Sequence, residues 1–212
     1  MTITRREIIQ QVTALLGGAA LIGGDRLLAF ATDDEALTQA MTEGVGRFTP
    51  ADVALLDEIA ETILPQTSTP GAKAAKTGAF MALMVTDVYT PESQQLFRDG
   101  MRSVDEACRQ AHGVPFLQAA PAQRLSVVEV LDREQKAAMD ARLARPSNRA
   151  PAPTSQNDDP AHYFRMMKEL ALLGYFTSEI GCTQAMRYIE SPGRYDPCAP
   201  HAPGDRSWAG HA

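Results

Sequence analysis

Residues 49–65 read Thr49-Pro50-Ala51-Asp52-Val53-Ala54-Leu55-Leu56-Asp57-Glu58-Ile59-Ala60-Glu61-Thr62-Ile63-Leu64-Pro65. The hydroxyl of Thr49 can cap a helix, Pro50 suits the first helical position, and Asp52 brings negative charge to the exposed amide ends. Val53, Leu56, Ile59, Ala60 and Ile63 recur at helical spacing, and Pro65 ends the run. The stretch therefore predicts an amphipathic helix to Leu64 that must bury one stripe against a neighbour.

The same device recurs along the chain. Ala74 to Tyr89 carries a second helical stripe through Ala75, Ala79, Phe80, Leu83, Met84 and Val88. Thr90-Pro91 restarts the pattern, and the helix that follows should stop at His112 because Gly113 can turn left-handed. Pro121 to Arg145 supplies a fourth helix, with Leu125, Val128 and Leu131 on its buried side. Asp159-Pro160 opens the next, whose buried face is Phe164, Met167, Ala171 and Leu172. Between Arg145 and Pro160, prolines and small polar residues without an apolar period predict a loop. No convincing run alternates apolar and polar residues as a half-buried strand would. The expected fold is all-α: a single bundle of five to six helices over 49–191, a linker over 32–48, and an extended, Pro/Gly-rich tail over 192–212.

Residues 1–31 read as an export signal rather than as part of the fold. A polar head carries Arg5 and Arg6, a modestly apolar stretch follows from Ile8 to Ile22, and Ala29-Phe30-Ala31 offers cleavage after Ala31. The stretch is too short and too polar for a membrane span. Paired arginines before a weakly hydrophobic run suggest the twin-arginine route, which moves folded proteins, over an ordinary secretory signal with two arginines by chance. The expected destination is the periplasm.

Of 212 residues, 20 are Lys or Arg and 26 Asp or Glu, a net charge of −6 that lacks the basic footprint nucleic-acid binding requires. Aromatic residues at 6% give no stacking platform for bases or sugars. Export of a folded protein suggests a cofactor, yet the mature chain has no motif for one. The only glycine-rich stretch, Gly17 to Gly24, lies in the signal, so no dinucleotide fingerprint follows a strand. No Cys-x-x-Cys-His is present for haem, and three cysteines cannot fill an iron–sulfur site that needs four. His112, His162, His201 and His211 form no metal-ligand pattern. The pairs Asp57–Glu58 and Asp105–Glu106 read as solvated helix faces, and the methionines read as core filling more than as a partner surface. In an oxidising compartment Cys198 could pair with Cys182 or Cys108, or with another chain, against the alternative of three free thiols.

Leu170-Ala-Leu-Leu-Gly-Tyr-Phe-Thr-Ser-Glu-Ile-Gly-Cys-Thr-Gln-Ala-Met-Arg-Tyr188, Pro192-Gly-Arg-Tyr-Asp-Pro-Cys198, Pro203-Gly-Asp-Arg-Ser-Trp208 and the opening Phe48 to Ala72 together resemble the gluconate 2-dehydrogenase subunit 3 family. The resemblance spans Phe48 to Trp208 and includes the twin-arginine head. It implies a non-catalytic small subunit of a membrane-associated sugar, polyol or sugar-acid dehydrogenase. The large subunit would be a flavoprotein of the glucose-methanol-choline type holding FAD, and a third subunit a cytochrome with haem c. An export signal without a cofactor motif then makes sense if the flavoprotein crosses the membrane attached to this chain. The tail residues Arg194, Tyr195, Cys198, Arg206 and Trp208 are the candidate interface with it, since Tyr, Trp and Arg most often anchor interfaces; a tail folded back on its own bundle is the competing arrangement. The competing function is a stand-alone periplasmic enzyme whose site assembles from Glu179, His162, Tyr175 and Arg187.

Overall fold

A computed structural model describes residues 34–144, 162–191, 193 and 202–209. Six α-helices run through them: α1 Asp34–Glu43, α2 Pro50–Ile63, α3 Thr77–Val88, α4 Pro91–His112, α5 Pro121–Leu143 and α6 Tyr163–Thr177, with a 3₁₀ turn Phe116–Gln118 and a π turn Gly181–Ala185. Among the described residues there is no β-sheet, only the isolated bridges Val45–Phe48 and Arg187–Trp208. The all-α expectation holds.

The local signals act as their chemistry predicts. The Thr49 hydroxyl accepts the Asp52 N–H at 3.2 Å while the Asp52 carboxylate accepts the Thr49 N–H at 2.8 Å, a reciprocal cap at the head of α2. Thr90 caps α4 one way only, its hydroxyl accepting the Ser93 N–H at 3.3 Å, and Gly113 closes that helix at φ 76°. α2 buries Val53, Leu56, Ile59 and Ala60, and α6 packs against α2, α3, α4 and α5. Phe97, Phe116 and Phe164 are fully buried at the centre, each contributing about 2–3 kcal/mol by its removal from water. Met81 and Met167 are fully buried beside them, as core filling requires.

Four expectations need correction. The stretch read as a linker, 32–48, contains α1, and its turn places Phe48 edge-on against Phe97 with ring centroids 6.2 Å apart. Ala40 and Phe48 are buried, so tertiary contact rather than propensity holds this segment. α3 begins at Thr77 instead of Ala74, because the Thr77 hydroxyl donates to the Ala72 carbonyl at 2.8 Å and Lys76 turns left-handed at φ 52°. Leu125 is 46% exposed, whereas Val127, Val128 and Leu131 are buried. It sits roughly 110° round the helix from the centre of that buried stripe. The residues around Cys182, read as helix, form a π turn whose Cys182 thiol donates to the Phe176 carbonyl at 3.2 Å. Asp159, Pro160 and the predicted loop before them lie outside the described residues, as do Arg5, Arg6, Ala29, Ala31, Arg194, Tyr195 and Cys198.

A carboxylate cluster on the second helix

The polar chemistry of the bundle gathers on α2, where Asp57, Glu58 and Glu61 meet three other elements. Asp57, read as solvated, is 2% exposed. It stands four residues from Val53 and so lies on the apolar stripe itself. Its Oδ1 accepts the Gly78 N–H from the first turn of α3 at 2.7 Å. Burial pushes its carboxyl up to about 6, with Glu58 and Glu61 adding to the rise and the Gly78 N–H and Lys73 opposing it.

Glu58 spans two cations: one oxygen meets the Lys73 ammonium and the other the Arg124 guanidinium. Arg124 also donates to the Phe116 carbonyl at 2.9 Å and the Leu117 carbonyl at 2.7 Å, so one side chain on α5 ties α2 to the 3₁₀ turn. The guanidinium is mostly shielded, at 16% exposure, and stands 5.8 Å from the Phe116 ring centroid. We therefore expect Arg124→Ala to destabilise the chain by about 2 kcal/mol, since it leaves the shielded Glu58 carboxylate with Lys73 alone and removes the guanidinium donors from the Phe116 and Leu117 carbonyls. Arg124→Lys should recover less than half of that, because an ammonium cannot fork to three acceptors. Urea unfolding of the three proteins measures both steps.

Asp105 also departs from the solvated reading. Its Oδ1 accepts the Phe116 N–H and its Oδ2 the Arg109 guanidinium, each at 2.8 Å. Glu106 is exposed, as expected. Asp57, Glu58, Glu61 and Asp105 are bound to backbone N–H groups and cations of their own fold, which fixes the elements they join relative to one another.

The four groups of the dispersed-site reading are not brought together. His162 caps α6, its Nδ1 accepting the Phe164 N–H, and its ring stacks on Tyr163. Tyr175 lies near the far end of the same helix, roughly 20 Å along the axis at 1.5 Å per residue. Its hydroxyl is spent on the Pro70 carbonyl at 2.6 Å. Glu179 is exposed, and Arg187, just beyond the π turn, pairs with Trp208 of the returning tail.

That tail segment forms a short clip. The Arg187 N–H donates to the Ser207 carbonyl at 2.9 Å and the Ala209 N–H to the Arg187 carbonyl at 2.8 Å. The Arg187 guanidinium lies 4.6 Å from the Trp208 ring centroid, and Arg206 donates to the Gln184 carbonyl at 2.5 Å. Trp208 keeps 52% of its surface exposed. Cys108 and Cys182 are both free thiols; Cys108 is buried, which together with Asp105 pushes its thiol up against the pull of Arg124, and Cys182 is partly exposed.

An open cleft of about 610 Å³ beside α4, with Phe48, Leu55 and Met101 among its lining residues, is ringed by Arg47, Arg98 and Arg102. Arg98 is held by the Gln94 carbonyl and the Gln95 side chain, and Arg102 pairs with Asp99. Among the described residues no three His, Cys, Asp or Glu side chains form a metal-ligand set, and no helix is long and apolar enough to cross a membrane.

The family model for gluconate 2-dehydrogenase subunit 3 matches residues 50–193, from the first residue of α2 to just beyond the π turn and Arg187. No curated protein and no solved structure matches the chain.

Proposed function

The chain belongs to the gluconate 2-dehydrogenase subunit 3 family, and from that premise we propose that it is the non-catalytic small subunit of an exported, membrane-associated sugar or sugar-acid dehydrogenase. FAD resides in a flavoprotein partner of the glucose-methanol-choline type and haem c in a cytochrome subunit. This chain carries the flavoprotein through the twin-arginine route to the periplasm and stabilises it there. Family membership over most of the helical domain is the observation that carries the reading. The engagement of Asp57, Glu58, Glu61 and Asp105 by the chain's own backbone and cations supports it, because a scaffold uses its charges in this way.

The tail contributes to the interface with the flavoprotein through Arg194, Tyr195, Cys198, Arg206 and Trp208. Its clip on Arg187 leaves half of the indole exposed, ready to be covered by a second chain. Should Cys198 pair within the chain, Cys182 is the accessible partner, since Cys108 is buried.

The decisive experiment replaces Arg5 and Arg6 by lysine in cells making both subunits. Both proteins are expected to remain in the cytoplasm, measured by fractionation and by flavin fluorescence of the periplasmic extract. A flavoprotein that still reaches the periplasm would remove the escort role. The purified single chain is expected to bind no stoichiometric flavin or haem and to oxidise no sugar.

A further inference from the structure

The connection between α2 and α3 is longer than its ends require. Helices that pack side by side in a bundle are usually joined by about 2–8 residues, whereas residues 64–76 intervene here. The extra length is firmly held. Glu61 accepts the Gln66 N–H on one carboxylate oxygen and the Lys73 N–H on the other, both at 2.8 Å, so one side chain ties both legs of the loop. The Ala72 N–H donates to the Leu64 carbonyl at 2.9 Å across its neck, and the buried Tyr175 of α6 grips Pro70. Gly71 has no room for a side chain, since a Cβ would stand 2.2 Å from the Glu61 carboxylate. Lys76 adopts the left-handed backbone that residues with a Cβ disfavour.

All this holding raises a tip, Pro65 to Ser68, that is exposed and carries no charge. Ordering exposed residues costs conformational entropy and returns nothing to the fold itself. The cost is recovered when a partner meets the loop already in its bound shape. Tyr175 also links the base of the tip to the segment that leads to the surface proposed for the flavoprotein. Tyr175, which holds Pro70, is followed by Phe176, 38% exposed, whose carbonyl accepts the Cys182 thiol of the π turn leading to Arg187 and Trp208.

We propose that residues 65–69 form a preformed docking tip that enters an uncharged recess of the dehydrogenase subunit, alongside the contacts proposed for Trp208. The proposal rests on the subunit reading above. Its test titrates the separately purified flavoprotein with the full chain, comparing wild type with T67R/S68R, E61Q and, as a control on the exposed side of α4, Q110R.

We expect T67R/S68R to raise Kd at least tenfold with unchanged melting of the chain alone. E61Q leaves the tip chemistry intact but loosens its legs, and should raise Kd several-fold while speeding amide exchange at Gln66 and Lys73. Q110R should bind as wild type, and the tip's contribution should survive added salt. If wild type binds and T67R/S68R binds equally well, the docking tip is overturned and the subunit reading stands. If wild type does not bind the flavoprotein at all, both fall.

Discussion

Gly78→Ala is expected to cost about 4 kcal/mol of folding stability, because the added methyl group would fall between two packed helices of the core. A Cβ at Gly78 would stand 2.4 Å from the Asp57 amide nitrogen, 2.6 Å from its Oδ1 and 2.7 Å from the Val53 carbonyl oxygen. Two of these three atoms are backbone of α2, so no rotamer change relieves the contact and α3 must move away. Overpacking of this kind costs about 1–3 kcal/mol, and the displaced Gly78 N–H leaves a buried carboxylate without its donor for about 1–3 more. The displacement would propagate to Thr77 and the neck of the loop, because the Thr77 hydroxyl holds the Ala72 carbonyl. Urea unfolding followed by circular dichroism measures the loss. A midpoint within experimental error of wild type would show that α2 and α3 approach less closely than described.

The second large effect is a pH dependence centred on Asp57. Its carboxyl is held up at about 6 in the folded chain, above the ordinary value of 3.8 that it regains on unfolding, with burial the main cause. The folded state therefore binds this proton more tightly than the unfolded state. The resulting contribution to stability is fully present below about pH 4 and is lost as pH rises through about 6, with a total of the order of 3 kcal/mol. The groups that face it act in both directions: Lys73 favours the carboxylate, and Glu58 and Glu61 oppose it. Asp132 has the opposite sign, since its hydrogen bond to Lys168 lowers its carboxyl and its contribution fades as pH falls. The Asp57 part is isolated by comparison with Asp57→Asn, whose amide oxygen can still accept the Gly78 N–H. Wild type minus variant stability should fall by roughly 2.5 kcal/mol between pH 4 and pH 7.5. Parallel stability curves for the two proteins would mean that the carboxyl is not buried in the ionisable range.

Helix starts at Thr49-Pro50 and Thr90-Pro91, and the stop at Gly113, were legible in the sequence because each is settled within one turn of backbone. A hydroxyl three residues from an N–H, a ring that fixes φ and a glycine free to turn left-handed need no partner from elsewhere. The stripe Val53, Leu56, Ile59 and Ala60 was legible for a related reason, since helical spacing alone puts those side chains on one face. Family resemblance from Phe48 onward was legible too, and residues 50–193 match the family model. Tertiary structure alone decided the fate of Asp57, Glu58 and Glu61. Their spacing says which face each occupies, yet whether that face meets water depends on the Gly78 N–H, the Arg124 guanidinium and the Lys73 N–H, supplied from 12 to 66 positions further along the chain. Leu125 and α1 differ from the sequence reading for the same cause. Apolar residues were present at both, but α5 turned a neighbouring stripe inward, and Ala40 and Phe48 found a core to enter. Local chemistry fixes where a helix begins, which way its apolar stripe points and where it stops. Which polar groups are taken out of water depends on donors and cations that only packing brings within reach.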